Sequence, residues 1–173
     1  LKDLDELEEL CEVAVRALDE IIDYQNYPVT AAEISTKARR SLGIGYIGLA
    51  HYLAKNQVKY GDKGAIKVVH ELTEAFQYYL IKASVELAKE KGKCEYFDRT
   101  KYAKGELPID HYKKDLDEVC SVKMKKNWDK LRKEIAEFGM RNSTLSAQMP
   151  SESSSVVSNA TVSYTHLRAH ETR

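Results

Sequence analysis

Between residues 62 and 92 the chain repeats apolar side chains at helical spacing for longer than anywhere else, and this constrains the fold more than any other feature. Ile66, Val69, Leu72, Phe76, Tyr79 or Leu80, Ala83 and Leu87 fall on one face. The spacing predicts an amphipathic helix of roughly 40 Å at 1.5 Å per residue. Lys89 and Lys91 put positive charge at its negative end, and Gly92 follows as a stop. A rod with one apolar face must bury it against other elements, and 173 residues suffice for one domain with a real core.

Two further helices are predicted on the same grounds. Leu4, Leu7, Cys11, Val15, Leu18 and Ile22 alternate steps of three and four, the acids Asp3, Asp5 and Glu6 suit the start, and Asn26, Tyr27 and Pro28 end the pattern. Cys11 sits on the apolar stripe, so it reads as a buried small hydrophobe. A shorter helix runs from Asn127 and Trp128 through Leu131, Ile135 and Phe138 to Gly139. Residues 94–116 break the periodicity, with Gly105, Pro108 and the aromatics Tyr96, Phe97, Tyr102 and Tyr112 scattered through them. They predict a long connection tied down by aromatic side chains. Asp110 and His111 adjoin there without a third partner at catalytic spacing, so they read as an exposed pair.

Residues 30–40 are polar, and then Gly43, Gly45 and Gly48 spell a literal Gly-x-Gly-x-x-Gly. A dinucleotide fingerprint needs a hydrophobic strand just before the first glycine and an acid about 20 residues on. Here Lys37, Ala38, Arg39, Arg40 and Ser41 precede it, Asp62 comes too early, and Glu71 closes no visible β-α-β unit. The glycines predict close backbone packing ahead of a helix over 46–56. Arg39 and Arg40 could steer anions, but solvated or ion-paired arginines are the default.

Lysine plus arginine equals aspartate plus glutamate at 27 each, which argues against a nucleic-acid or membrane-surface footprint of bulk positive charge. No apolar run approaches spanning length. Cys11, Cys94 and Cys120 are odd in number, widely spaced and outside any Cys-x-x-Cys, so they suggest neither a disulfide framework nor a zinc site, and a reducing cytoplasm fits. The chain lacks an initiator methionine and enters a helix pattern almost at once, which predicts a piece cut from something longer.

The candidate ligand site lies at 141–155. Residues 142–148 have small, β-branched and apolar side chains without helical spacing and predict a short buried strand ending at Met149 and Pro150. Ser151, Glu152, Ser153 and Ser154 then have the form of a helix start, with a hydroxyl residue at the cap. Such a terminus carries unpaired N–H donors and partial positive charge, so it can hold a phosphate without a lysine, though an ordinary capped helix has the same spacing.

The run Asn142-Ser143-Thr144-Leu145-Ser146-Ala147-Gln148-Met149-Pro150-Ser151-Glu152-Ser153-Ser154-Ser155, followed by Ser158, Asn159, Ala160 and Thr161, resembles the large (alpha) subunit of aerobic class I ribonucleoside-diphosphate reductases. The resemblance extends over residues 1–161. It implies an α/β fold, this piece being a mainly helical fragment of a ten-stranded α/β barrel. It also implies that Pro150, Ser151, Glu152, Ser153 and Ser154 line the pocket for the substrate phosphates. Glu152 is anionic, so its N–H rather than its carboxylate is expected to face the ligand. The family has a similar Arg-Arg-x-Leu-Gly-Ile-Gly segment, in keeping with a packing role for Gly43 and Gly45. It uses an adjacent tyrosine pair in radical relay, but in a later part of its sequence, so Tyr78 and Tyr79 are expected to be packing residues.

The family's radical cysteine in its Asn-x-Cys-x-Glu setting, its reducing cysteine pair and its effector sites have no counterpart in these residues. The chain alone is therefore expected to be inactive, with no catalytic residue, metal or cofactor of its own. The resemblance implies a ribonucleoside diphosphate substrate, ATP and dNTP effectors, a small (beta) subunit with a di-iron tyrosyl radical, a homodimer of the full-length large subunit, and thioredoxin or glutaredoxin as reductant. After Thr161 the family continues Asn-Gly-Ile-Glu-Pro, whereas residues 162–173 here resemble a translated adapter and are expected to be non-native. His166 and His170 have helical ligand spacing, but no general base lies between them. The competing expectation is a stand-alone helical interaction module whose serine turn is only a cap.

Overall fold

The computed structural model describes residues 4–111, 118, 123–150 and 152–158. The periodic stretch forms one long helix, α4 (Lys63–Lys91), with α1 (Leu4–Tyr24) packed along it. Among the described residues three ion pairs join the two: Glu8 with Lys82 (2.5 Å), Arg16 with Glu90 (2.5 Å), and Glu20 with Lys91. The numbering rises on both helices together, so α1 and α4 run parallel. Parallel neighbours need a return connection, and here α2 (Thr30–Arg39) and α3 (Leu49–Lys55) lie within it.

The core is built where α4 is covered on several sides. Leu80, Ile81 and Val85 on α4 and Val15 on α1 have no exposed surface. Leu131 and Ile135 of α5 (Trp128–Phe138) close another side. The middle of α4 is thus buried far beyond the single predicted face, with Ala75, Ser84 and Ala88 also inside. A buried acid fixes the approach to α5: Glu74 accepts the backbone N–H groups of Lys125 (2.8 Å) and Lys126 (2.9 Å) and the indole N–H of Trp128 (3.2 Å). Asn127 caps α5 by accepting Lys130 N–H, and Gly139 at φ 73° ends it.

Residues 94–111 form a connection with three 3-10 turns, Phe97–Arg99, Tyr102–Lys104 and Pro108–His111, in which Phe97 and Leu107 are buried and Tyr102 is partly covered. Tyr112, Leu116 and Cys120, and the expectation for residues 162–173, lie outside the described residues.

Three expectations need correction, and one stretch read only as polar is helical. The polar run at 30–40 is helix α2; only Ala38 is buried on it, so no apolar stripe announced it. The helix expected over 46–56 begins at Leu49, because Gly48 takes a left-handed conformation (φ 77°) as its cap. On α1 the buried position after Val15 is Asp19, not Leu18, which is only partly covered. The buried strand expected over 142–148 is, among the described residues, a single parallel bridge between Ile44 and Ser146. Only Asn142 and Leu145 of that stretch are buried. A parallel strand gains its ladder and its two covered faces from neighbours on both sides, and residues 42–44 supply one side.

Candidate functional site

The segment that leads to the candidate site is fixed first at residues 140–143, where α1, α2 and α4 meet. Asp19, wholly buried on α1, accepts Arg40 Nε (2.6 Å) and Asn142 Nδ2 (3.0 Å) on one carboxylate oxygen and Arg141 Nε (3.2 Å) on the other. Arg40 also donates to the backbone oxygen of Asp19 (2.7 Å) and makes a two-pronged pair with Asp23 (2.8 and 2.9 Å). Two acids thereby face two arginines, so the buried charge is balanced. Burial works against the Arg40 charge, but the hydrogen bonds to Asp23 and Asp19 outweigh it and hold its pKa above the ordinary arginine value. The same pairing holds Asp23 below the usual carboxylate range.

Arg40 reaches this position from a left-handed backbone (φ 48°) that ends α2. Arg141 also donates to the carbonyls of Lys91 (3.2 Å) and Gly92 (3.3 Å), placing positive charge at the negative end of α4. Asn142 completes the cluster. Its side chain donates to Arg40 O (3.1 Å) and accepts Ser84 Oγ (2.9 Å), while its N–H donates back to Ser84 Oγ (3.0 Å).

From there the chain is tied at nearly every residue. Ser143 N–H donates to Arg39 O (3.0 Å), Leu42 N–H to Thr144 O (3.0 Å), Ile44 N–H to Leu145 O (2.8 Å), and Ala147 N–H to Ile44 O (3.0 Å). Side chains add Ser146 Oγ to Gln77 (2.7 Å) and Gln148 Nε2 to Tyr46 O. The expected close packing of the glycines is seen here. A Cβ on Gly45 would overlap the carbonyl oxygen of Ala147, and one on Gly43 would meet Ala147 Cβ at 3.4 Å. No hydrophobic strand precedes Gly43, which follows α2 and its left-handed cap, so the dinucleotide reading has no geometry behind it.

The tied segment releases the chain at Met149 and Pro150, both exposed, into a short helix α6 (Glu152–Val157). Of the residues expected to hold phosphate, Pro150 stands exposed before this helix, Glu152 begins it, and Ser153 and Ser154 lie on its exposed surface. Ser151 lies outside the described residues. Ser158 closes the helix, its N–H (3.0 Å) and its Oγ (2.7 Å) both donating to Ser154 O. The first turn of any helix has N–H groups without intrahelical acceptors, and on α6 the exposed Ser153 and Ser154 stand in that turn.

Asp19, Ser84 and Asn142 had no functional reading in the sequence. A signal for Asp19 existed: it lies four residues after Val15 and three before Ile22, an acid on an apolar stripe. The other candidates resolve as structure. Asp110 accepts both Nη atoms of Arg132 (2.8 and 2.9 Å) and the N–H of Leu107, and these lower its pKa to about 2. His111 faces Glu106 (3.2 Å). Tyr79 is buried, and Tyr78 packs edge-on against it and against Trp128. Cys11 is pushed up to about 12 by burial and by Glu8, and burial also raises Cys94. Among the described residues no group of three or more His, Cys, Asp or Glu could hold a metal ion, and no helix is long and apolar enough to cross a membrane.

Comparison with known proteins gives this arrangement its context. The family model described as "Ribonucleotide reductase, barrel domain" matches residues 1–171. The ribonucleoside-diphosphate reductase subunit alpha of Buchnera aphidicola (Schizaphis graminum) is 58% identical over 161 residues, covering 93% of this chain and 21% of that protein. The subunit alpha of Haemophilus influenzae is 59% identical over 157 residues (91% and 21%), and the Escherichia coli K12 reductase 1 subunit alpha is 56% identical over 140 (81% and 18%). The chain spans about a fifth of the length of the curated relatives it matches. It belongs to the ribonucleotide reductase barrel-domain family, with the alpha subunits of ribonucleoside-diphosphate reductases as its relatives.

Proposed function

We propose that this chain is the phosphate-holding part of a ribonucleoside-diphosphate reductase large subunit, which converts ribonucleoside diphosphates to 2'-deoxyribonucleoside diphosphates in the cytoplasm for DNA precursor synthesis. The observation that carries the reading is 56% to 59% identity to three alpha subunits over most of the chain. In this reading residues 1–161 belong to a ten-stranded α/β barrel, of which the parallel Ile44–Ser146 bridge and the parallel α1 and α4 are the parts that support it.

Pro150, Ser151, Glu152, Ser153 and Ser154 bind the substrate diphosphate. The first-turn amides of α6 and the serine hydroxyls donate to phosphate oxygens, with the helix dipole favouring their charge. Glu152 contributes its N–H and keeps its carboxylate away. Anchoring the diphosphate fixes the ribose relative to a cysteine elsewhere in the subunit, whose thiyl radical takes the 3' hydrogen. The small subunit's di-iron tyrosyl radical supplies the oxidising equivalent that generates that thiyl. Thioredoxin or glutaredoxin returns electrons to the subunit, and ATP and dNTP effectors act at sites outside this chain. The full-length subunit works as a homodimer.

A stand-alone interaction module would bury its apolar stripes within itself. Instead α1 leaves Leu10 (56%), Val13 (58%), Ile21 (49%) and Tyr24 (91%) exposed. A cavity of about 600 Å³ also opens among Leu49, Leu53, Ile66, Val69, Ile109 and Trp128. Bare faces of this kind suit a piece of a larger body.

In the full-length subunit, replacing Ser153 and Ser154 together by alanine is expected to raise KM for the ribonucleoside diphosphate about tenfold or more, from loss of charge-assisted bonds. An unchanged KM overturns the phosphate site. The 173-residue chain assayed alone with a small subunit and dithiol is expected to give no turnover.

A further inference from the structure

The Gly-x-Gly segment lacks the preceding strand that a dinucleotide fingerprint needs, and its glycines are not required by backbone conformation either. Neither Gly43 nor Gly45 is among the residues with positive φ, so alanine would suit their dihedrals. What Gly45 lacks room for is a side chain. A Cβ there would overlap the Ala147 carbonyl oxygen and stand 2.9 Å from Met149 Sδ and Cε. A thioether can swing aside. A backbone carbonyl held by its neighbours' hydrogen bonds cannot, so the chain at 147–149 would have to move.

We propose that the turn at Gly45 and Tyr46 is the positioning device for the phosphate loop, with Gly45 and Gln148 as positioning residues for the reductase reaction. The proposal rests on the reading of residues 150–154 as the phosphate site. Three contacts set the path of 147–149: the N–H of Ala147 on Ile44 O, the close approach over Gly45, and Gln148 Nε2 on Tyr46 O. Pro150 follows with φ fixed near −65°, and α6 begins at Glu152. Three residues of chain separate Gln148 from Glu152, where α6 begins, so a displacement at Ala147 is passed to the diphosphate site.

A displaced loop still offers its donors, so substrate binds, but the ribose is held off its reacting distance. A misplacement of about 1 Å can cost on the order of a hundredfold in rate. Gly45→Ala should therefore lower kcat and leave KM largely alone, the opposite of stripping donors from Ser153 and Ser154. Gly43→Ala is the steric control, since its Cβ would meet only Ala147 Cβ at 3.4 Å.

The test uses the full-length subunit with its small subunit, assayed for kcat, KM and melting temperature. Expected for Gly45→Ala is a kcat reduced about tenfold or more with KM within about threefold and the melting temperature near that of Gly43→Ala. Gln148→Ala, an exposed side chain whose loss does not threaten folding, is expected to lower kcat about twofold to fivefold with KM unchanged. Should Gly45→Ala fail to fold, Gln148→Ala decides. The proposal is overturned if Gly45→Ala loses no more kcat than Gly43→Ala, or if both Gly45→Ala and Gln148→Ala turn over normally. When the paired serine variant raises KM and the positioning variants are silent, only the positioning claim falls. When the serine pair has no effect on KM, the phosphate site itself fails and the positioning claim goes with it.

Discussion

The two ends of one short segment have opposite chemistry. At residues 140–142 every described polar side chain is engaged: Asp19, Arg40, Arg141, Asn142 and Ser84 share one network, and Met140 has no exposed surface. About a dozen residues later Ser153 and Ser154 face solvent on a six-residue helix. The contrast separates holding from binding. A group that sets position must have its partners within the fold, whereas a group that meets a ligand must keep donors uncommitted until the ligand arrives.

The sharpest way to break this contrast is to unbalance the buried end. Asp19→Asn removes the buried carboxylate that hydrogen-bonds both arginines while keeping the shape, and breaking a buried pair typically costs about 3 to 5 kcal/mol. The full-length variant should show a large fall in melting temperature; a shift within error would mean that the network is not a stabilising pivot. Asn142→Ala should cost less, about 2 to 3 kcal/mol, since it takes the acceptor from the buried Ser84 hydroxyl and one donor from an Asp19 oxygen that keeps Arg40 Nε, without removing a charge. Chemical denaturation compared with Asp19→Asn orders the two. By contrast Ser153→Ala alone should leave stability within about 0.5 kcal/mol, as an exposed substitution on a short helix does.

Two smaller effects sharpen the comparison. Cys11 and Cys94 are buried with raised pKa, so neither should be alkylated by iodoacetamide at pH 8 in the native chain, and both should react once it is unfolded. Labelling of either thiol before unfolding would place the core boundary wrongly. The second concerns Asp110, whose carboxyl falls to about 2 beside Arg132. A lowered carboxylate pKa stabilises the fold above the unfolded value of roughly 3.9, and that contribution is lost as pH falls through the folded one. The pair is solvent-screened, so the stability gap between native and Asp110→Asn should stay below about 1 kcal/mol at neutral pH and shrink between about pH 4 and 2. A gap that grows on acidification contradicts this.

Much of the helical frame was legible because its cause is local. Apolar spacing predicted α1, α4 and α5, and Asn127, Gly92 and Gly139 mark ends that a neighbour's chemistry alone sets. Helix α2 was hidden because it buries only Ala38, and a polar helix has no stripe to read. The Gly43 and Gly45 packing role was legible from what was missing before them. The site lay in a motif whose resemblance could be recognised, but its spacing alone did not tell a ligand terminus from an ordinary cap.

By itself the sequence determined which stretches coil, where they stop, and to which family the chain belongs, since these follow from neighbours three or four positions apart and from a contiguous motif. Only the tertiary structure decided that Asp19 lies under Arg141 and Asn142, and that Gly45 is pressed against Ala147. Those partners are about a hundred residues apart in the chain. Buried hydrogen bonds and steric contacts depend on distances that no local spacing encodes.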